Sequence, residues 1–289
     1  MPELPEVETA RRRMEKAFKG KRLTEIKGDS SDRYLFAHAP AGQVEKALSG
    51  AKVVGSGRKG KYFWLELDRK PWPIFHLGMS GNIEVRGKKG AHQKAWGGLK
   101  LWSARGRENA PSGTPFFTRL LLTSENGNQV ALTDPRRFGR LWLTDDDPLA
   151  HKSIKKLGFD PLFDFPSAKE LGVILSRRKA PIKAVLLDQG VFAGIGNWIA
   201  DEVLFHAKLD PRRKASELKP AEVVRLRNKI LAVIGKAVDV EADYERFPAS
   251  WLFHKRWGKQ KNSKTHSKQA IVHETIGGRT TAWVPSVQK

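Results

Sequence analysis

The sequence predicts an α+β multidomain fold: a helix, a β domain, a helical domain and a small C-terminal β element. Three observations support this order. Between residues 21 and 143, short runs of aromatic and β-branched residues alternate with glycine-containing turns, which is typical of a sandwich or barrel. After a polar linker at 144–151, the apolar residues recur at helical spacing. From residue 250 onward the chain is basic, aromatic and rich in turn residues.

The first element is a helix within residues 1–20. Pro5 suits the first turn, where its missing N–H costs nothing, and Glu6 and Glu8 favour the positive end of the helix dipole. Apolar residues recur at helical spacing up to a stop at Gly20, namely Val7, Ala10, Met14, Ala17 and Phe18. This pattern explains the helix, but it does not explain why Pro2 and Glu3 precede it.

The β domain contains strand-like runs at 52–68, 72–86 and 137–145. Two apolar runs within 116–134 flank Asn126-Gly127, a strong hairpin signal. The stretch 87–115, rich in glycine, lysine and tryptophan, is interpreted as a long loop or insertion, and the sequence leaves its role open.

The helical domain shows four helical patterns, at 167–178, 181–189, 197–207 and 220–238. Gly194 and Gly196 predict a tight turn that leads into the third helix. Exposed backbone N–H groups at such a helix start favour phosphate. Asn197 either caps this helix or binds a phosphate oxygen, and the pattern alone does not decide between them.

The charge indicates the class of partner. The chain has 53 lysines and arginines against 31 aspartates and glutamates, a net charge of +22, which predicts a polyanionic partner. Nucleic-acid enzymes, ribosome-associated proteins and membrane-surface proteins all fit this number. Cysteine is absent, which excludes disulfides and thiolate metal sites. We expect no transmembrane segment and no signal peptide, because no long apolar run is present.

Six motifs together resemble one family. In chain order they are "PELPEVE", "RKGKYFWLEL", "HLGMSG", "TDPRRFG", "LLDQGVFAGIGNWIADEVLF" and "GGRTTAWV", and this order is similar to that of the formamidopyrimidine-DNA glycosylases over nearly the whole chain. The resemblance implies an N-terminal β-sandwich with an N-terminal helix at 1–145, a helix-two-turn-helix DNA-binding domain at 152–245, and a C-terminal β-hairpin finger at 246–289.

The resemblance also gives Pro2 and Glu3 a purpose. It implies a base-excision-repair DNA glycosylase with AP lyase activity, in which Pro2 becomes a free secondary amine once Met1 is removed. An α-amino group titrates near pH 8, so it is partly neutral and nucleophilic in the cell. We expect it to attack C1′ of the damaged nucleotide, expel the base and form a Schiff base, after which β- and δ-elimination cut the strand. Glu3 is expected to act as general acid/base at the sugar, and Glu6 as a supporting carboxylate.

Further roles follow from the same resemblance. Lys61 is expected to contact phosphate and assist elimination, and Arg279 to grip phosphate and assist δ-elimination. Three more residues are expected to bind DNA near the lesion: Arg178, Lys183 and Asn197.

Another three residues, Met79, Arg136 and Phe138, are expected to fill the gap left by the extruded nucleotide. In this interpretation Arg136 faces the orphaned base and Phe138 wedges beside it. Extrusion is needed because C1′ chemistry is inaccessible in a stacked duplex.

The chain departs from the family at its C-terminus. Most members end in a four-cysteine zinc finger, but this chain places Val284 and Val287 where the last two cysteines fall, and valine cannot bind zinc. We expect a zincless finger, similar to plant and fungal members, with no metal and no cofactor. Three scattered histidines (His254, His266 and His273) are interpreted as surface residues, and three tryptophans (Trp251, Trp257 and Trp283) as candidates for apolar packing.

Substrate choice is only partly indicated. "GTPFF" stands where many members carry a DNA-contacting histidine, and no long lesion-capping loop is visible between 207 and 238. The sequence therefore favours formamidopyrimidines and leaves 8-oxoguanine open.

Two alternatives remain: an endonuclease VIII-like glycosylase for oxidised pyrimidines, and a non-catalytic protein that binds damaged DNA. Pro2-Glu3 has no purpose in a mere binder, whereas retention of Met1 favours one. The expected partner is double-stranded DNA with oxidised bases or abasic sites. We expect the protein to be a monomer and to have no membrane partner. The expected location is the nucleoid in the cytoplasm of a bacterium, or the nucleus of a eukaryote.

Overall fold

The structure is a computed structural model that describes residues 1–86, 114–257 and 263–289. Two compact units make up the chain, one with residues 1–156 and 241–245, the other with 157–240 and 246–289. The predicted loop at 87–115 lies outside the described residues except for its last two. The boundaries of the three predicted domains stay a prediction.

The first unit opens with α1 (Leu4–Phe18), as the sequence predicts. Glu3 is its N-cap and Pro5 lies in its first turn. Gly20, just beyond the helix, has a φ of 78°, a left-handed conformation that glycine adopts at low cost. The helix packs its apolar face, including Val7 and Phe18, into the core of the unit.

The described residues of this unit also form two four-stranded antiparallel sheets and α2 (Ala41–Leu48). The first sheet has the order β1 (Leu23–Gly28), β6 (Thr118–Ser124), β7 (Gln129–Thr133) and β5 (Asn82–Arg86). The second has the order β2 (Val53–Lys59), β3 (Tyr62–Leu67), β4 (Trp72–His76) and β8 (Arg140–Thr144).

An apolar core lies between the sheets. Phe63 and Phe75 of the second sheet stack with ring centroids 5.0 Å apart, and they share one cluster with Leu120 and Leu132 of the first sheet. Two separate sheets around one core make a sandwich, so the barrel alternative is wrong. The hairpin signal at Asn126-Gly127 is confirmed, because it joins β6 to β7.

The second unit is helical, with a short hairpin at its end. Each predicted helix is present within two residues of its predicted bounds, as α3 (Ala168–Ser176), α4 (Ile182–Leu187), α5 (Asn197–Ala207) and α6 (Pro220–Asp239). The hairpin consists of β9 (Val272–Ile276) and β10 (Arg279–Trp283). None of the helices in the described ranges is both long and apolar enough to cross a membrane.

Candidate active site and nucleic-acid interface

The start of α1 brings three of the predicted catalytic residues together. Pro2 is buried, and Glu3 and Glu6 are 2% and 0% exposed. The backbone N–H of Glu3 donates to Oε2 of Glu6 at 2.9 Å. The Glu6 carboxylate therefore holds the backbone directly after Pro2. This contact is what its expected role as a supporting carboxylate requires.

The environment of Glu6 sets its charge. Burial, and then the negative charge of Glu3, raise the pKa of Glu6 to about 7. The hydroxyl of Tyr244 donates to Oε1 of Glu6 at 2.7 Å and opposes this rise. Glu6 consequently titrates near neutral pH, unlike an ordinary glutamate.

The turn that carries Lys61 is tied to α1 by a buried ion pair. The Arg58 side chain is 0% exposed, and its Nε lies 2.9 Å from Oε2 of Glu8. The same guanidinium donates to the Gly60 carbonyl at 3.0 Å. Gly60 has a φ of 57° and lies in the turn between β2 and β3, directly before Lys61. One side chain thus holds together α1, which begins two residues after Pro2, and the lysine turn.

Lys61 also influences a partly buried histidine. Burial, and then the positive charges of Lys61 and Arg140, lower the pKa of His76 to about 4, so its imidazole is neutral at neutral pH. Its Nδ1 accepts the Gly78 N–H at 3.2 Å. His76 therefore fixes the start of the turn that carries Met79.

Met79, Arg136 and Phe138 lie on two turns that contact each other. Gly78 has a φ of 60°, and a side chain at this position would meet the Phe138 carbonyl oxygen at 2.3 Å. Arg136 and Phe138 are both exposed, and the Arg136 guanidinium lies 5.0 Å from the Phe138 ring centroid. The structure thus places a cation and an apolar ring side by side, next to the methionine turn.

Asp134 joins these two turns, and the sequence analysis missed it. Its Oδ1 accepts the Ser80 hydroxyl at 2.6 Å and the Arg136 N–H at 3.1 Å. Its Oδ2 accepts the Gly139 N–H at 2.7 Å. An aspartate before a proline is a signal for such a turn, so "TDPRRFG" contains the information that could have identified it.

In the second unit, α5 grips the C-terminal hairpin through two side chains one helical turn apart. Asn197 Nδ2 donates to the Thr280 carbonyl at 2.8 Å, and Asp201 Oδ2 accepts the Ala282 N–H at 3.2 Å. Gly196, not Asn197, is the N-cap of α5. The capping alternative for Asn197 is therefore wrong, and its contact with phosphate stays a prediction.

Asp201 is the centre of a buried ionic cluster. Its Oδ2 also accepts from Nη2 of Arg256 at 2.6 Å, and its Oδ1 pairs with the ammonium of Lys183. The Lys183 side chain is 0% exposed. The structure thus places this lysine in the interior of the unit and gives it a structural contact, while its predicted contact with DNA stays untested.

Arg178 and Arg279 both lie at exposed positions. Arg178 follows α3, with Nη1 3.4 Å from Oδ2 of Asp188. Arg279 begins β10, directly after Gly277 and Gly278, which have φ values of 59° and 74°. These two positions suit phosphate contacts, and the roles stay predictions.

The glycine turn before α5 is held by a residue that the sequence analysis did not single out. Gln189 Nε2 donates to the Ile195 carbonyl at 2.7 Å, and its Oε1 accepts the Gly194 N–H at 3.0 Å. Gly194 has a φ of 95°. The side-chain amide of Gln189 therefore closes the glycine turn before α5. The sequence predicts that the backbone of this turn faces phosphate.

The residues at the C-terminus do not fit a zinc ion. Val284 is fully buried in a cluster with Leu252, Ile271 and Ala282, and Val287 packs against it. Of the predicted tryptophans, Trp251 and Trp283 are buried and Trp257 is half exposed. Within the described ranges, no group of histidine, cysteine, aspartate and glutamate could hold a metal ion.

Two of the three histidines bind the backbone. His254 Nε2 lies 3.2 Å from the Phe247 carbonyl, and His273 Nε2 lies 3.1 Å from the Arg256 carbonyl. These contacts are structural.

Comparison with known proteins places this geometry in one family. The family model of the formamidopyrimidine-DNA glycosylase N-terminal domain matches residues 1–141, and that of the H2TH domain matches residues 157–248. A formamidopyrimidine-DNA glycosylase of Arabidopsis thaliana is 38% identical over 290 residues, which cover 100% of this chain and 71% of the relative. One from Rhizorhabdus wittichii is 32% identical over 301 residues and 100% of both chains.

Solved structures give the same result. Lactococcus lactis Fpg, non-covalently bound to DNA with an AP site, aligns with a TM-score of 0.77 and 26% identity over 99% of both chains. MutM in complex with DNA containing carbocyclic 8-oxo-G aligns with a TM-score of 0.77 and 28% identity over 100% of both chains. Since the domains, the full-length relatives and the structures all agree, the chain belongs to the formamidopyrimidine-DNA glycosylase family.

Proposed function

We propose that this chain excises oxidised purines, with formamidopyrimidines as its main substrates, and then cuts the DNA strand through an N-terminal proline Schiff base. As a family member it is a base-excision DNA glycosylase, and its partner is damaged double-stranded DNA. The observation that carries the mechanism is the arrangement of Pro2, Glu3 and Glu6 at the start of α1, where Glu6 holds the Glu3 N–H at 2.9 Å.

The chemistry follows from this arrangement. Removal of Met1 makes the Pro2 nitrogen a secondary amine, which attacks C1′ of the damaged nucleotide while the bond from C1′ to the base breaks. Opening of the sugar ring gives an iminium ion, in which the nitrogen withdraws electrons from C2′. Loss of a C2′ proton then expels the 3′ phosphate, and a second elimination expels the 5′ phosphate. Water releases the sugar remnant and restores the amine, with Glu3 moving protons at the sugar.

The charged side chains support the DNA-binding half of the proposal. Arg136 and Phe138, on the turn beside Met79, have the chemistry to occupy the space of an extruded nucleotide. A cation over an aromatic ring contributes about 0.5–1 kcal/mol at an exposed site, which helps to hold this pair in one geometry before DNA binds. Lys61, Arg178, Asn197 and Arg279 would bind phosphates. The enzyme would act on chromosomal DNA, in the nucleoid of a bacterium or in the nucleus of a eukaryote.

The short connection between α5 and α6 supports formamidopyrimidines as substrates. It consists of residues 208–219, so the stretch 207–238 has no room for a long lesion-capping loop. The solved relatives include a mutant of Lactococcus lactis Fpg in complex with Fapy-dG DNA, 27% identical with a TM-score of 0.75.

Borohydride trapping tests the proposal. Protein with Met1 verified as removed is mixed with duplexes that carry a formamidopyrimidine, 8-oxoguanine, an oxidised pyrimidine or an abasic site. We expect an adduct that maps to Pro2, fastest excision of the formamidopyrimidine, and no adduct with Pro2→Gly.

Glu3→Gln is the matched variant, because it keeps the size of the side chain and removes its acid/base chemistry. Absence of any wild-type adduct despite tight binding would show a damage-binding protein instead. Preference for the oxidised pyrimidine would show an endonuclease VIII-like enzyme.

A further inference from the structure

Tyr244, to which the sequence motifs give no role, contacts the buried carboxylate of Glu6. Its hydroxyl donates to Oε1 of Glu6 at 2.7 Å, while Oε2 of Glu6 accepts the Glu3 N–H at 2.9 Å. Glu6 is 0% exposed. One buried carboxylate therefore connects the phenol of Tyr244 to the backbone that follows Pro2.

We propose that Tyr244 is a positioning residue for the reaction: its hydrogen bond aims the Glu6 carboxylate at the Glu3 N–H, and thereby keeps Pro2 and Glu3 in their reactive geometry. This inference rests on the proposed function. It adds a residue 238 positions away from Glu6 in the sequence, which no motif of the first domain contains.

The backbone around Tyr244 is held in an unusual conformation. Glu241 and Ala242 have φ values of 55° and 51°, and left-handed backbone costs a residue with a side chain about 1–2 kcal/mol. Such conformations persist only where surrounding contacts impose them. Here Ala242 is fully buried in the core of the first unit, and Glu241 lies 3.7 Å from the guanidinium of Arg13 on α1. Segment 241–245 is thus anchored beside α1, where Tyr244 reaches Glu6.

The electrostatics of Glu6 make this hydrogen bond consequential. Burial and the charge of Glu3 raise the pKa of Glu6 to about 7, while the bond from Tyr244 and the backbone N–H groups of Glu3 and Glu6 lower it. A carboxylate that titrates near pH 7 changes its charge in response to small changes in its surroundings. Loss of the phenol hydroxyl should therefore raise the pKa further, so that more Glu6 is protonated at neutral pH.

The other charged groups near this part of α1 act on different partners. Arg58 of β2 faces Glu8. Three acidic residues act on Arg13: Glu241 and Asp243 of the anchored segment, and Glu84 of β5. Among side chains, Glu3 and Tyr244 are thus the main influences on the charge of Glu6.

Tyr244→Phe tests the proposal, because it removes the hydroxyl and keeps the ring. The rate of borohydride trapping on a duplex with a preformed abasic site is measured in single turnover from pH 5.5 to 9, together with DNA affinity and the melting temperature. We expect the acid limb of the pH–rate profile to move up by about one unit. The trapping rate near pH 6.5 should fall roughly tenfold and should recover near pH 8.5. The substitution should leave the affinity for DNA unchanged.

Two further variants separate positioning from a structural role. Tyr34→Phe removes the hydroxyl of a tyrosine that is 59% exposed, and it should leave the profile unchanged. In a Glu6→Gln background, where position 6 no longer carries a carboxyl that Tyr244 can act on, Tyr244→Phe should no longer shift the acid limb.

Three results would overturn the proposal. If the pH–rate profile of Tyr244→Phe matches that of wild type, the phenol hydroxyl has no role in the reaction. If the trapping rate falls equally at every pH, the hydroxyl only supports the fold. An acid-limb shift of the same size in the Glu6→Gln background shows that it acts elsewhere. In each case wild-type trapping would leave the proposed function intact, whereas a wild-type chain that traps on no duplex overturns both.

Discussion

The carboxylate of Glu8 lies 2.9 Å from Nε of Arg58, and both side chains are almost completely buried. Arg58 donates onward to the Gly60 carbonyl at 3.0 Å. The pair therefore links α1, which begins two residues after Pro2, to the turn that carries Lys61. Glu8 also accepts hydrogen bonds from Arg11 and Arg12, so its charge is shared among three guanidinium groups.

Glu8→Gln should destabilise the first unit by about 3–5 kcal/mol, because it leaves a buried guanidinium without its countercharge. Burial opposes ionisation of Glu8, but hydrogen bonds from Arg11 and the charge of Arg58 hold its pKa at about 2. A pKa that is lower in the folded state contributes stability above the unfolded value near 4.5, and this contribution is lost as the pH falls towards 2. Thermal unfolding of wild type and Glu8→Gln should therefore differ most at pH 6–7 and converge in acid.

The pKa of Glu6, on the same helix, is shifted in the opposite direction to that of Glu8. Its folded pKa of about 7 lies above its unfolded value, so its contribution is present below pH 4.5 and is lost as the pH rises through 7. A Glu6→Gln chain should thus gain stability relative to wild type between pH 5 and 8. Melting temperatures measured across this range check the sign, and a relative loss at pH 8 would contradict it.

Asp134→Ala should loosen the two turns that carry Met79 and Phe138. Three hydrogen bonds to the carboxylate are lost, and we expect a loss of about 2–4 kcal/mol in stability. Excision from a duplex lesion should fall at least tenfold, because the predicted wedge is no longer preorganised. Trapping on an abasic site in single-stranded DNA, where no partner base must be displaced, should fall much less.

Ser80→Ala provides a graded control for this prediction, because it removes only one of the three hydrogen bonds. We expect an effect between wild type and Asp134→Ala. Equal losses on duplex and single-stranded DNA would show that Asp134 supports the domain as a whole rather than the two turns.

The local elements of this fold could be predicted from the sequence because their signals are local. The four helices of the second unit follow from apolar spacing, and the β6–β7 hairpin follows from Asn126-Gly127. The ordered motifs also indicate Pro2, Glu3 and Glu6, which the structure brings together.

Contacts between distant residues could not be predicted in the same way. Tyr244 reaches Glu6 because two residues adopt left-handed backbone and Ala242 enters the core, and no spacing rule encodes this. Lys183 pairs with a buried carboxylate on α5, a contact that no local pattern indicates, while its predicted contact with DNA stays a prediction. A sequence shows that a lysine is present, but not which carboxylate lies within its reach.

Asp201→Asn should weaken the attachment of the C-terminal hairpin to α5. The carboxylate accepts from Lys183, Arg256 and the Ala282 N–H, and an amide cannot neutralise the two cations. We expect a loss of about 3–5 kcal/mol and faster proteolysis near β10. Glu217→Gln, which breaks an exposed pair with Lys214, should cost at most about 1 kcal/mol.

Gly277→Ala tests whether the hairpin turn places Arg279. The added methyl group would lie 2.8 Å from Cβ of Ala184 on α4, in addition to the strain of a φ of 59°. Gly278→Ala is the matched control, because its φ is 74° but its methyl group would meet nothing within 4 Å. Both variants carry about 1–2 kcal/mol of backbone strain, and only Gly277→Ala must also move the turn away from α4. We therefore expect Gly277→Ala to lower the ratio of δ- to β-elimination products on a gel more than Gly278→Ala does. Equal ratios for the two variants would mean that contact with α4 does not set the position of Arg279.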